Sequence, residues 1–230
     1  MGTVQRGKAA EFLEVIKDRR SMRSFRPDPV PKEVLQQVLE AAIRAPSWSN
    51  TQPWEFTVVG GKLLERLKGV LFEKASAGVP PNPDIPFPTF QDPCLQRSRE
   101  NGKKFFETLG ITREDKARRM EFSLSMSKFF GAPNGIIVYI DRELGPYSIL
   151  DAGIAIQNLL LAAHCIGLGA CPEAAVVTYP DVLREMLGIP VSKKIICGVA
   201  IGYPDEAAPI NKHRSPRDPL DVFVTWRDVD

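Results

Sequence analysis

Histidine is scarce in this chain: there are only two, His164 and His213. Cysteine contributes four residues (Cys94, Cys165, Cys171 and Cys197), and no two of them stand as CxxC. That pattern offers no zinc-ligand spacing, and free thiols in a reducing compartment are expected. An excess of either charge is also missing. Lys and Arg number 30 against 28 for Asp and Glu, a net charge of +2. Such a balance gives no general electrostatic reason to expect nucleic acid or a membrane surface as partner, so any anion site must come from local clustering. No run approaches the roughly 20 apolar residues that cross a bilayer. The first residues, MGTVQRGKAAEFLEVIKDRR, hold no apolar core of signal-peptide length. A soluble, cytoplasmic protein is the expectation. Two phosphate-binding signatures are absent as well: no GxGxxG opens a βαβ unit, because Gly167-Leu-Gly169 closes a helical stretch, and there is no GxxxxGK[ST].

What is present suits one globular unit. The 230 residues are 43% hydrophobic and 25% charged, ordinary values for a chain that buries a sizeable core. Helical periodicity marks 9–20 through Phe12, Val15 and Ile16. A second helix spans 31–45, with Pro31 at its start and Val34, Leu35, Val38, Leu39 and Ala42 on one face. Residues 46–53, PSWSNTQP, read as a polar loop, 54–59 as a strand and 62–76 as a helix. The proline-rich segment 78–93 reads as irregular. With two charged amphipathic stretches, 94–109 and 113–130, it looks like an insertion and a possible mobile lid. Strands are expected at 136–140 and 194–201, and helices at 148–166 and 180–187. Helix 148–166 is apolar nearly all round, which places it in a core or a subunit interface. The order favours an α+β architecture. A last strand-like run, Val222–Trp226, needs an edge to pair with, and a second subunit would supply one.

Three clusters carry chemistry. Arg19-Arg20-Ser21-Met22-Arg23, followed by Arg26, puts four arginines in eight residues at a helix end. Guanidinium forks match phosphate oxygens in bidentate fashion, and a serine adds a hydroxyl donor; a solvated basic helix end is the alternative. The loop Pro46–Trp54 mixes side-chain donors and acceptors, as the edge of a flavin ring requires, or as a capped polar turn does. Lys212-His213-Arg214-Ser215-Pro216-Arg217 is a second basic cluster, read either as the other half of a phosphate site or as a basic tail. The phenylalanines 87, 90, 105, 106, 122, 129 and 130 crowd the inserted region. They suit either a substrate pocket or the small core of the insertion itself.

Taken together, RRSMRSF (19–25), PSWSNTQPW (46–54), LDAGIAIQNLLLAAHCIGLGAC (150–171) and GYPDEAAPINKHRSPRDPLDVFVTW (202–226) resemble the FMN-dependent nitroreductases over nearly the whole chain. The resemblance implies a nitroreductase-like fold: a central, mostly antiparallel sheet flanked by helices, with the C-terminal strand swapped onto the partner of a homodimer. It treats residues 1–230 as a single FMN-binding domain with the insertion at 78–130. By resemblance, Arg19, Arg20, Ser21 and Arg23 contact the FMN phosphate and ribityl chain, and Arg214 and Arg217 the phosphate. Pro46, Ser47, Trp48, Asn50 and Gln52 reach a flavin held mainly by the partner subunit. Ser125 and Lys128 contact the pyrimidine edge, and Pro172, Glu173 and Ala174 lie beside flavin N5. Ala174-Ala175 stand where some well-known members have Glu-Gly. The activity implied is ping-pong: NAD(P)H, transiently bound, reduces the flavin, and a small electron-poor aromatic such as a nitroaromatic or quinone reoxidises it. No side chain is required as a nucleophile. Reductive dehalogenation, flavin destruction and azoline oxidation run on the same fold, and a non-catalytic flavin-binding module would carry the same phosphate clusters.

Overall fold

A computed structural model describes residues 3–229, with side chains from residue 9 onward. Four strands, β1 (Glu55–Gly60), β2 (Asn134–Asp141), β3 (Gly169–Glu173) and β4 (Lys193–Gly202), form one sheet in the order β1-β2-β4-β3. Every pairing is antiparallel. The central strands read as continuous apolar runs because both their faces are covered. Ile136, Val138, Val199 and Ile201 point to one helical layer, and Ile137, Ile195 and Ala200 to the other.

The first layer is α2 (Lys32–Ala42) and α6 (Pro146–Cys165), which present Leu35 and Val38, and Ile156, Leu159 and Ala163. The second is α3 (Gly61–Ser76) and α7 (Pro180–Leu187). Leu64, Leu67 and Leu71 of α3 recur at helical spacing and are fully buried. Each such leucine contributes on the order of 2 kcal/mol. Proline opens both α6 and α7, where its missing N–H costs nothing. The remaining helices are α1 (Thr3–Asp18), α4 (Cys94–Thr108) and α5 (Lys116–Met126).

Two expectations are corrected. Residues 169–173, for which no strand is expected, form an edge strand, β3. Its sequence, GACPE, lacks strand formers, and Pro172 is exposed on it, as an edge position allows. The run Val222–Trp226 forms no strand in the described chain. Leu220–Val222 is a single 3-10 turn, and the backbone beyond it is irregular. A strand needs a neighbouring edge to satisfy its N–H and C=O groups, and within the described residues of a single chain none pairs with this run. Finally, α6 is long and apolar enough to cross a membrane by length and composition, with mean hydropathy 1.3 over its best window. Here it is the core helix packed on α2 and the sheet, yet only 33% of that window is buried within the chain.

The proline-rich segment is tied down at its start. Asp84 pairs with Arg142 at 3.1 Å and with Arg184, and accepts the Ile195 N–H at 2.8 Å. Tyr179 Oη donates to the Val79 carbonyl at 2.8 Å.

Candidate functional site

Beyond α1 the chain runs extended beside β3. Ser21 bridges Ala170, the Met22 N–H donates to the Ala170 carbonyl at 3.2 Å, and Phe25 bridges Pro204. Extended backbone alternates its side chains between two sides. Met22 is thus buried against the sheet while Ser21 and Arg23 point the other way, into a cavity. The close approach depends on Gly169, where a Cβ would lie 2.8 Å from Met22.

The cavity is about 390 Å³ and is lined by Arg19, Arg20, Ser21 and Arg23 from this arm. His213, Arg214, Ser215 and Arg217 line it from the C-terminal arm. Asn211, 1% exposed, joins the arms. Its Oδ1 accepts the Arg23 N–H at 2.7 Å, its Nδ2 donates to the carbonyls of Ser24 and Asp205 at 2.8 and 2.9 Å, and its own carbonyl accepts Arg20 Nε at 2.9 Å. The two basic clusters, 188 residues apart at the Arg23–Asn211 contact, thereby face one space.

The five guanidiniums around this space have little compensation. Arg20 is 3.8 Å from Glu206 and Arg214 is 3.6 Å from Asp18, the two carboxylates each more than half-exposed, and among the described residues Arg217 reaches the carbonyls of Ser215 and Pro216. Burial, then the positive charge of Arg217, pulls the Arg19 pKa below its ordinary value. A cluster of forks with, among the described residues, no carboxylate within ion-pair distance other than the exposed Glu206 and Asp18 calls for an anion of more than one charge, and a phosphomonoester fits the donor set.

Arg23 also lines a second cavity, again about 390 Å³, whose other walls are mostly apolar. They include Phe87, Met126, Phe130, Pro172, Glu173 and Ala174. Phe130 is aimed there by a left-handed turn. Phe129, Phe130 and Gly131 have φ of 53°, 48° and 77°. For the two phenylalanines that conformation costs on the order of 1–2 kcal/mol each. The fully buried Phe129 ring, packed against Gly135, holds it. Arg23 lies over the Phe130 ring at 5.9 Å.

Glu173 is the least expected neighbour. Neither carboxylate oxygen has a hydrogen-bond partner, and both are sealed from solvent. Burial drives its pKa up from 4.5 to about 9, against the opposing pull of Arg23. Burial likewise pushes Cys171 up to about 12 and Cys197 up to about 11, so neither thiol is a nucleophile at neutral pH.

The structure therefore brings together Arg19, Arg20, Ser21, Arg23, Arg214 and Arg217, and sets Pro172, Glu173 and Ala174 beyond Arg23. The other residues inferred from the sequence lie elsewhere. Ser125 Oγ donates to the Phe122 carbonyl at 2.7 Å, and the Lys128 ammonium sits 3.6 Å from the Phe72 ring. Pro46, Ser47, Trp48, Asn50 and Gln52 form a surface loop on α6. There the Trp48 N–H donates to Asp151 at 3.1 Å, the Trp48 ring meets Tyr147 at 4.8 Å, and the Gln52 N–H donates to Ser47 Oγ at 3.0 Å. Ser49, Asn50 and Gln52 all have positive φ, a strained backbone of the kind that gathers at ligand sites. Of the aromatics in the insertion, Phe105, Phe106, Phe122 and Phe130 pack on one another, Phe87 lines the second cavity, Phe90 is exposed and Phe129 belongs to the main core. Asn211 escaped the sequence reading because an asparagine before a basic run has no distinguishing pattern.

A basic cavity and a mostly apolar one thus share Arg23 as a wall. Comparison with known proteins bears on what such a pair of cavities binds. The Nitroreductase family model matches residues 16–203. The chain belongs to the nitroreductase family. The 4-nitrobenzoate reductase of Pseudomonas putida is 34% identical over 224 residues, 96% of this chain and 97% of that protein. Nitroreductase NfnB of Mycolicibacterium smegmatis is 36% identical over 217 residues, covering 94% and 91%. The crystal structure of an FMN-dependent nitroreductase NfnB from Mycobacterium smegmatis in complex with NADPH superposes with a TM-score of 0.90. It shares 33% identity and covers 95% of this chain and 99% of its own.

Proposed function

We propose that this nitroreductase-family protein is an FMN-dependent NAD(P)H oxidoreductase that reduces nitroaromatic, quinone or similar electron-poor aromatic substrates by a ping-pong mechanism. The observation that carries the reading is a pair of neighbouring cavities that share Arg23 as a wall, one lined by five under-compensated guanidiniums and the other mostly apolar with Phe87 and Phe130. FMN would supply the redox chemistry there. Arg19, Arg20, Arg214 and Arg217 would hold its phosphate by charge-assisted hydrogen bonds, and Ser21 would add a hydroxyl. Arg23, bracketed by Phe130 and fixed by Asn211, puts a positive charge where the two cavities meet. Phe130 and Phe87 exclude water from the wide cavity and offer faces for a planar substrate. Glu173, whose pKa burial raises to about 9, would add no negative charge to that cavity at neutral pH. No side chain acts as a nucleophile.

The working unit is a homodimer. Supporting this are an apolar α6 that is two-thirds unburied in the protomer and the exposed Phe12 and Leu13 of α1. The exposed Phe223 and Trp226 on the tail, and the unpaired outer edge of β1, support it further. In that dimer Val222–Trp226 pairs with a partner's sheet, and the loop Pro46–Gln52 reaches the flavin site of the other subunit.

Anaerobic stopped-flow spectroscopy tests the proposal. The purified protein should be yellow, its flavin band should bleach on mixing with NADPH or NADH, and 4-nitrobenzoate should restore it. A band that bleaches with neither nicotinamide leaves a flavin-binding module. Reoxidation by halogenated phenols but not by nitroaromatics makes the enzyme a dehalogenase.

A further inference from the structure

Helix α4, from the inserted region, does not line the arginine cavity. It nonetheless holds residues that do. Arg97, Asn101 and Phe105 recur every four residues and share one face. Arg97 Nε donates to Asp218 Oδ2 at 2.6 Å, and its guanidinium lies over the Phe223 ring at 5.0 Å. Asn101 Oδ1 is 3.2 Å from His213 Nε2, a contact made when that nitrogen carries the proton and donates it. The Phe105 ring meets the His213 ring edge-on, centroids 5.1 Å apart, and takes the Arg23 guanidinium over its face at 5.3 Å. One helical face thus grips the C-terminal arm on both sides of Arg214 and Arg217, and touches the N-terminal arm at Arg23.

We propose that α4 is the positioning element of the anion site: the Asn101–His213 and Arg97–Asp218 contacts hold the segment 213–218 so that its arginines converge with Arg19, Arg20 and Arg23 on a phosphomonoester. The selectivity for a phosphorylated over an unphosphorylated flavin is then set in part by a helix that touches no phosphate. The inserted helix clamps the cofactor end of the site, in addition to any part the rest of the insertion plays over the substrate end. This inference rests on the phosphate site proposed above.

The test compares dissociation constants for FMN and for riboflavin, which lacks the phosphate, by fluorescence titration of refilled protein. The variants are Asn101→Leu, Arg97→Asp, Asp218→Arg and the double exchange Arg97→Asp/Asp218→Arg, with Lys103→Ala on the exposed face of α4 as control. Loss of one such contact should weaken FMN by a factor of about 3 to 10 while riboflavin moves less than about twofold. The double exchange should recover most of the FMN affinity, and the control should match the unmodified chain. FMN affinity unchanged in the single variants, equal weakening of both flavins, or no recovery in the double exchange overturns the role of α4. The Arg97–Asp218 variants keep the question open to refutation if Asn101→Leu does not fold. Equal affinity of the unmodified chain for FMN and riboflavin would overturn the phosphate site itself, a separate outcome from any of these.

Discussion

Glu173→Gln isolates the buried carboxyl beside Arg23. In the folded protein its pKa is raised from 4.5 to about 9, with burial as the cause. Between those values the folded chain keeps a proton that the unfolded chain releases. Unfolding therefore becomes easier as pH rises through that window, at about 1.4 kcal/mol per pH unit. From pH 5 to pH 8 this one group should cost the fold about 4 kcal/mol, a large part of the 5–15 kcal/mol typical of a domain. The contribution is complete below pH 4.5 and is lost progressively toward pH 9. Glutamine has nearly the same shape and cannot ionise. Urea titrations of both proteins at pH 5, 6, 7 and 8 should show the variant gaining on the parent by roughly a kcal/mol or more at each step. His164 and His213, whose pKa values burial lowers, add their own pH dependence. They are common to both proteins and cancel in the difference. Parallel stability profiles would refute a neutral Glu173, as would the absence of a protonated-carboxyl infrared band that disappears with the substitution.

Three further outcomes are expected. Arg217→Ala should weaken FMN retention by about 1–3 kcal/mol, the range for a lost charge-assisted contact, and full colour after dialysis would count against its place in the site. Removing residues 219–230 should weaken the dimer, and an unchanged sedimentation profile would show that the tail contributes nothing to it. Gly198→Ala would put a Cβ 2.1 Å from Val176 Cγ2 under β4. It should cost about 1–3 kcal/mol by overpacking, read as a lower urea midpoint, and an unshifted midpoint would mean that Val176 moves freely.

The elements with the strongest patterns were legible before any coordinates. Helices α2, α3, α6 and α7 and the strands β1, β2 and β4 lie within a few residues of where periodicity puts them, because each buries one stripe or one continuous run. β3 was invisible for the opposite reason: GACPE owes its extended form to β4 beside it and to the arm carrying Ser21 bridging it, both distant in sequence. Val222–Trp226 forms no strand within one chain, since a strand-like composition makes no strand without an edge to join, and the edge expected for it belongs to a second subunit. In the site, the arginine clusters announced their chemistry, but the residue that unites them did not. Asn211 works by geometry alone, through four hydrogen bonds to groups that no local pattern links. Ser125 and Lys128 were inferred by resemblance alone, and in this chain Ser125 donates to the Phe122 carbonyl while Lys128 sits over the Phe72 ring.

The bond from Asn211 to the Arg23 backbone closes a loop that contains nearly the entire protein. While the chain is being made, the first basic arm leaves the ribosome long before its counterpart has been synthesised. Until the second arm is made, the first offers a dianion only part of the donors that the folded chain sets around the cavity. The proposed phosphate site is therefore complete only in a chain folded as far as Arg217.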